Sequence, residues 1–340
     1  SLAQAPASAG ILSAVVGSLF CVFMGGTRTG LAGPGLVGAL VASGIAARHG
    51  FAGLGVAIAI AGALQILTGA LGLGRFARLL PLAVLRACVM GTGVALLLWH
   101  VMQALEANAP QGELASGVLI ATVAGTSREG LAMMAVAGLL GYLGHKVPRF
   151  PGALIAIVLS VPAAQLLGLQ LPTLQEATGF PMPHVPDLGE QGLGSVVRSA
   201  VALWGAMTLV TVVNTAALEQ LQLEAGQSAR TQPDQELIGH GLATLALAFL
   251  QGLPSTQLVA RSALGVRLEL PSRRPALIQA IVLLGVGVAA WSSLHLIPLA
   301  ALTGVAVAVA VPLLDPRPLR ALKHASSLEA GIAASTIATI

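Results

Sequence analysis

Charge is what this chain has least of. Only 9% of its residues are Asp, Glu, Lys or Arg, and only 3% are aromatic. A chain so poor in charge cannot cover a water-facing surface, which excludes an ordinary soluble domain. Cysteine is nearly absent too. Cys21 and Cys88 both fall in apolar runs, which argues against a disulfide framework and for buried small hydrophobes. The first apolar run lacks the positive flank of a cleavable signal peptide. No stretch reads as a soluble domain or a nucleic-acid partner.

What is present is apolar: 56% of 340 residues, with a mean hydropathy of +0.87. The 41 glycines suit helices that pack closely in lipid. The expected class is an all-α, multi-pass protein of the plasma (inner) membrane, and no enzymatic role is expected. Apolar runs lie at about 9–24, 51–73, 80–105, 130–144, 150–169, 197–218, 237–250, 276–291 and 297–314. Residues 113–126 are moderately apolar, and a last run begins near 328. Arg75, Arg78, Arg86, Lys146, Arg149, Arg230, Arg267, Arg273, Arg274, Arg317, Arg320 and Lys323 fall in or beside connections on one side of this map. They are twelve of the 17 basic residues, so that side is cytoplasmic; Arg48, Arg128 and Arg198 are exceptions.

Two stretches break the pattern. In GLPSTQLVARSALG, residues 252–265, a Gly and a Pro interrupt an apolar run, and a short helix is expected from Pro254 onward. In GGTRTGLAGPG, residues 25–35, glycine is too dense for a helix, and a second short helix is expected from Pro34 to about Ala47. About 15 residues reach roughly 20 Å, whereas a bilayer core needs about 30 Å. A helix that starts inside the membrane leaves N–H groups unpaired and about half a positive charge at its tip. Paired broken spans in the two halves of a chain point to a secondary transporter with a midplane site. Two such tips facing each other favour a small anion.

At these residues the chain resembles the SulP anion permeases, also called solute carrier family 26. PDQELIGHGLATLALAFLQGLPSTQLVARSALG, residues 233–265, carries the closest likeness, with residues 25–35, 63–97 and 150–160 matching in order. The resemblance implies an inverted seven-plus-seven helix repeat with core and gate domains, its two half-helices (helices 3 and 10) meeting at midplane. It also implies a homodimer. The whole chain, 1–340, would be the transmembrane transport domain, without counterparts of the family's first helix, last helix and STAS domain.

Carried over residue by residue, the implied anion site comprises Gly33, Pro34, Gly35 and Leu36 facing Leu258, Val259, Ala260 and Arg261, with Gln257 beside them. Asn214 and Thr215 belong to the helix that also lines it. Near them many prokaryotic relatives carry an acidic residue followed by Ser. Asn214 is neutral, which disfavours sodium coupling and leaves a proton as the expected coupling ion. Ala260 lacks the hydroxyl that some relatives offer.

Each candidate has a plainer reading. Arg261 either holds the anion or, as favoured, raises the local potential; otherwise it pairs with Glu219 or Glu224. Ser255, Thr256 and Gln257 touch substrate or cap the half-helix. Glu236 and His240, four apart, form a proton relay or, as favoured, Glu236 is structural. Gln65, Thr68 and Thr92 are expected to make interhelical hydrogen bonds. An intramembrane hydrolase built on Ser255 and His240 has no further support. An anion channel or exchanger on the same fold and a nucleobase permease remain alternatives to proton symport of sulfate, bicarbonate, chloride or a dicarboxylate. No cofactor or metal is expected.

Overall fold

The computed structural model describes residues 7–79, 94, 97, 127–147, 150–174, 183, 185–186, 192–228, 231–267, 272–289 and 291–311. The run expected at 80–105 apart from 94 and 97, the run at 113–126, the run from 328, and Cys88 and Thr92 lie outside these residues. Contacts divide the chain into two compact units, Ser1–Val89 with Ala177–Trp291, and Met90–Glu176 with Ser292–Ile340.

The first unit contains helix α1 (Ala7–Met24), strand β1 (Ala32–Pro34), α2 (Leu36–Ala70), α5 (Leu193–Glu224), α6 (Pro233–Phe249), strand β2 (Ser255–Gln257), α7 (Val259–Arg267) and α8 (Arg274–Ala289). Helix α2 is two helices in one, because Gly50 at φ 64° and ψ −178° breaks the helical path. A residue with a side chain resists that conformation, so glycine marks the kink. The segment before the kink is about 20 Å long and the one after it about 30 Å. Only the second matches a bilayer core.

The second unit contains α3 (Arg128–Lys146), α4 (Gly152–Leu166) and α9 (Leu299–Ala310). Ser127 caps α3, its hydroxyl accepting from the Gly130 N–H at 3.1 Å. Backbones here nearly touch: a Cβ on Gly304 would stand 2.2 Å from the Met134 carbonyl oxygen. This is packing by small residues, as lipid-embedded helices require.

Polar side chains are buried beside the hydrophobic core, and large apolar ones are exposed. Gln65, Thr211, Thr215, Glu236, Thr244 and Gln257 are fully buried, while Leu154, Val158 and Leu159 of α4 and Ile278, Ile281 and Val282 of α8 are each more than half exposed. Exposed apolar helix faces, with polar groups buried inside, suit lipid rather than water. The two longest helices, α2 and α5, have the length and apolarity to cross a membrane. Interhelical hydrogen bonds follow from the buried polar set. Gln65 donates to Thr211 Oγ1 at 3.2 Å, and the Trp204 indole donates to Thr68 Oγ1 at 2.9 Å.

The structure corrects the expected starts of both half-helices. Pro34 and Pro254 do not open helices. β1 precedes one helix, which starts at Leu36, and β2 precedes the other, which starts at Val259. An unwound segment in lipid must pair its backbone internally, and each of these segments pairs with the other.

Candidate functional site

The two strands run antiparallel, with Ala32 opposite Gln257, Gly33 opposite Thr256 and Pro34 opposite Ser255. Each strand leads directly into a helix, so α2 and α7 leave opposite ends of one ribbon. At about 3.4 Å per residue the ribbon is only about 7 Å long. Both helix N-termini therefore lie close together and point toward each other. Gly35 is the N-cap of α2, and no side chain caps that end. On α7 the first helical bond runs from the Ser262 N–H to the Leu258 carbonyl, so Val259, Ala260 and Arg261 supply first-turn donors.

Neighbouring helices satisfy the backbone around the ribbon. The Ser13 hydroxyl of α1 accepts from the Leu253 N–H at 2.7 Å. Gln279 of α8 donates to the Ala32 carbonyl at 2.9 Å, and Ser262 accepts from the Leu31 N–H, also at 2.9 Å. The Leu258 N–H donates to the Leu31 carbonyl at 2.8 Å. Helix α1 comes this close because Gly17 faces Ser255: a Cβ there would stand 2.2 Å from Ser255 Oγ.

Helix α5 approaches the ribbon from another direction. Asn214 Nδ2 donates to the Gln257 carbonyl at 2.6 Å, and the Thr215 hydroxyl lies 2.7 Å from both Gln257 Oε1 and the Thr211 carbonyl. Asn214 and Thr215 therefore hold β2 in place. Ser255 Oγ, Thr256 Oγ1 and Gln257 Nε2 are buried and have no hydrogen-bond partner within the protein. Thr256 faces the start of α2, since a Cβ on Gly35 would stand 2.3 Å from its hydroxyl oxygen. Three successive polar groups with spare capacity make this the most under-satisfied stretch among the described residues.

Of the residues singled out in the sequence, Gly33, Pro34, Gly35, Leu36, Asn214, Thr215, Gln257, Leu258 and Val259 gather at the ribbon and its two helix starts, where Ala260 and Arg261 continue α7. The Arg261 side chain is exposed. Glu219, one partner suggested for it, accepts a hydrogen bond from the Thr231 hydroxyl. Glu236 is wholly buried on α6, and its Oε2 accepts from the N–H groups of Gly26 at 2.5 Å and Thr27 at 3.0 Å. It clamps the loop leading from α1 to β1, in keeping with a structural role. Gln279 and Gly17 escaped notice in the sequence. The signal for Gly17 was the stripe of small residues Ser13, Ala14, Gly17, Ser18 and Cys21 along one face of α1.

Comparisons with known proteins agree with this architecture. The bicarbonate transporter BicA of Synechocystis sp. is 27% identical over 340 residues, an alignment covering 95% of this chain and 59% of BicA. The putative sulfate transporter YvdB of Bacillus subtilis is 22% identical, with 97% of this chain and 63% of YvdB covered. The chain thus spans less than two thirds of the length of either relative. The solved transmembrane domain of a cyanobacterial BicA superposes with a TM-score of 0.80 at 22% identity, covering 99% of this chain and 88% of that one. That likeness shows the fold of a multi-pass transmembrane domain. The model of the sulfate permease family matches residues 1–336, and the chain belongs to that family.

Proposed function

We propose that this chain is the membrane-spanning part of a secondary transporter that moves small anions by alternating access, coupled to protons. The observation that supports this most is the β1–β2 ribbon with a helix N-terminus at each end. The anion would lie against the N–H groups of Gly35 and Leu36 on one side and of Val259, Ala260 and Arg261 on the other. Gly33 and Pro34 keep the first wall free of polar side chains. Leu258 and Gln257 form the second wall, braced by Asn214 and Thr215, and the Arg261 guanidinium raises the local potential.

The energetics suit a carrier. A partly buried helix end contributes up to about 2 kcal/mol to a nearby anion, and a charge-assisted hydrogen bond about 1.5–3 kcal/mol. Such terms offset desolvation without trapping the cargo. Sulfate, bicarbonate, chloride and small dicarboxylates fit this chemistry, and the names of the relatives, bicarbonate and sulfate transporter, keep two of these in view. A proton is preferred to sodium because Asn214 is neutral and spends its amide on the Gln257 carbonyl. Assembly as a homodimer is part of the same reading.

Uptake of labelled anions into proteoliposomes tests the proposal, with a competition panel run with and without a pH gradient. Saturable uptake, driven by an inward proton gradient and competed by related anions, is expected. A continuous, non-saturating anion current would replace the carrier with a channel, and insensitivity to pH would remove the proton.

A further inference from the structure

A second cluster of chemistry lies in the first unit, apart from the helix tips. Cys21 of α1 and Glu236 and His240 of α6 are all buried, and their donor atoms lie within 4.8 Å of one another. His240 Nε2 is 3.7 Å from Cys21 Sγ and 3.5 Å from Glu236 Oε1. A tetrahedral zinc site has a metal–sulfur distance of about 2.3 Å and metal–nitrogen or metal–oxygen distances of about 2.0–2.2 Å. Its ligand-to-ligand edges then measure roughly 3.6 Å for sulfur to nitrogen and roughly 3.4 Å for nitrogen to oxygen. The two edges at His240 already stand near these spacings, and Cys21 Sγ and the Glu236 carboxylate lie within 4.8 Å of each other.

The plainer reading is a hydrogen-bonded chain that ties α1 to α6. It satisfies the atoms poorly. A single imidazole nitrogen, Nε2, faces both the sulfur and the carboxylate, while Glu236 Oε1 has no hydrogen-bond partner despite full burial. A cation between the three donors uses that convergence. Charge also balances, since a divalent ion with one thiolate, one carboxylate and a neutral imidazole is neutral overall, which lowers the cost of burial. Glu236 is oriented for this by its other oxygen, which accepts from Gly26 and Thr27.

We propose that Cys21, Glu236 and His240 form a binding site for a zinc-class divalent metal ion. The ion would pin the end of α1 and the loop from Gly25 to Gly30 onto α6, and that loop leads into β1. Gly30 itself lies between Glu236 and Gln257: a Cβ there would stand 3.4 Å from Glu236 Oε1 and 3.0 Å from Gln257 Nε2. Metal occupancy would therefore stiffen the approach to the ribbon. The assignment holds whatever the protein transports.

The test is cobalt titration of the purified, untagged, metal-free full chain, read by absorption. One equivalent of Co²⁺ producing a thiolate-to-cobalt charge-transfer band, displaced by Zn²⁺, is expected. Cys21→Ser should abolish the band, His240→Gln should weaken binding at least about tenfold, and Cys88→Ser should change neither. Zn²⁺ should raise the unfolding temperature of the unaltered protein but not of Cys21→Ser. Folded protein without the band, or a band lost in Cys88→Ser and kept in Cys21→Ser, overturns the assignment.

Discussion

The two halves of the ribbon place helix ends alike but with different chemistry. β1 is Ala-Gly-Pro, which brings no polar side chain to the ribbon, whereas β2 is Ser-Thr-Gln and brings two hydroxyls and an amide. The helix after β1 opens on Gly35 and Leu36, and the one after β2 opens on Val259, Ala260 and an arginine. One side is a wall that must stay bare. The other is decorated, braced by α5, and carries the positive charge. On the proposed function the two halves would divide the labour, the first contributing space and a dipole and the second contributing contacts. The first half should therefore be broken by adding atoms, and the second by removing them.

The largest effect belongs to the bare wall. Gly35→Val adds a branched side chain whose first carbon alone would stand 2.3 Å from Thr256 Oγ1. Displacing a helix tip by an ångström or so costs about a hundredfold in rate, so proteoliposome uptake should fall by at least that much while the protein stays monodisperse. Full activity would show that the first half does not bound the site. Next comes Gln257→Leu on the decorated side. It keeps the bulk but removes a buried amide beside Thr215. Losing a buried polar interaction of about 1–3 kcal/mol lowers uptake roughly tenfold to a hundredfold. Wild-type rates would assign Gln257 to packing alone.

Arg261→Ala should have a smaller effect and a different signature. The side chain is exposed, so its contribution is long-range and screened by salt. KM should rise about tenfold at low ionic strength and less at high, with kcat nearly constant and Arg261→Lys close to wild type. An unchanged KM at low salt would take Arg261 out of the mechanism.

The division between the halves was only partly legible in the sequence. Hydrophobic run length located most helices, because a helix in lipid needs a long apolar segment. It failed where polar residues are paired internally. α5 continues past Leu218 to Glu224, because Glu219 and Gln222 bond to Thr231 and Thr29 instead of ending the helix. Proline and glycine revealed that both spans are broken but not that the breaks become strands. Pairing Ala32 with Gln257 joins residues more than two hundred positions apart, and three-residue strands have no period to detect. That Asn214 and Thr215 lie beside the ribbon was implied by family resemblance alone, since no local pattern ties α5 to β2. The clamp by Glu236 was hidden for the same reason, its partners being backbone N–H groups on a distant loop.

The smallest effect, and the sharpest test of the division, is Thr256→Val. Valine keeps the shape and β-branching that suit β2, so the ribbon should form as before. What disappears is one buried hydroxyl that has no hydrogen-bond partner within the protein and faces the start of α2. If that hydroxyl only fills space, removing it relieves an unsatisfied polar group, and the protein should become slightly more stable with uptake unchanged. If it donates to the anion, a neutral-to-charged hydrogen bond is lost. Affinity should then fall by about 1.5 kcal/mol, roughly tenfold, while thermal stability rises or holds. The two outcomes have opposite meanings for the same geometry: a rise in KM without loss of stability places Thr256 among the contacts of the second half, and an unchanged KM leaves anion binding there to Gln257 and the backbone of α7.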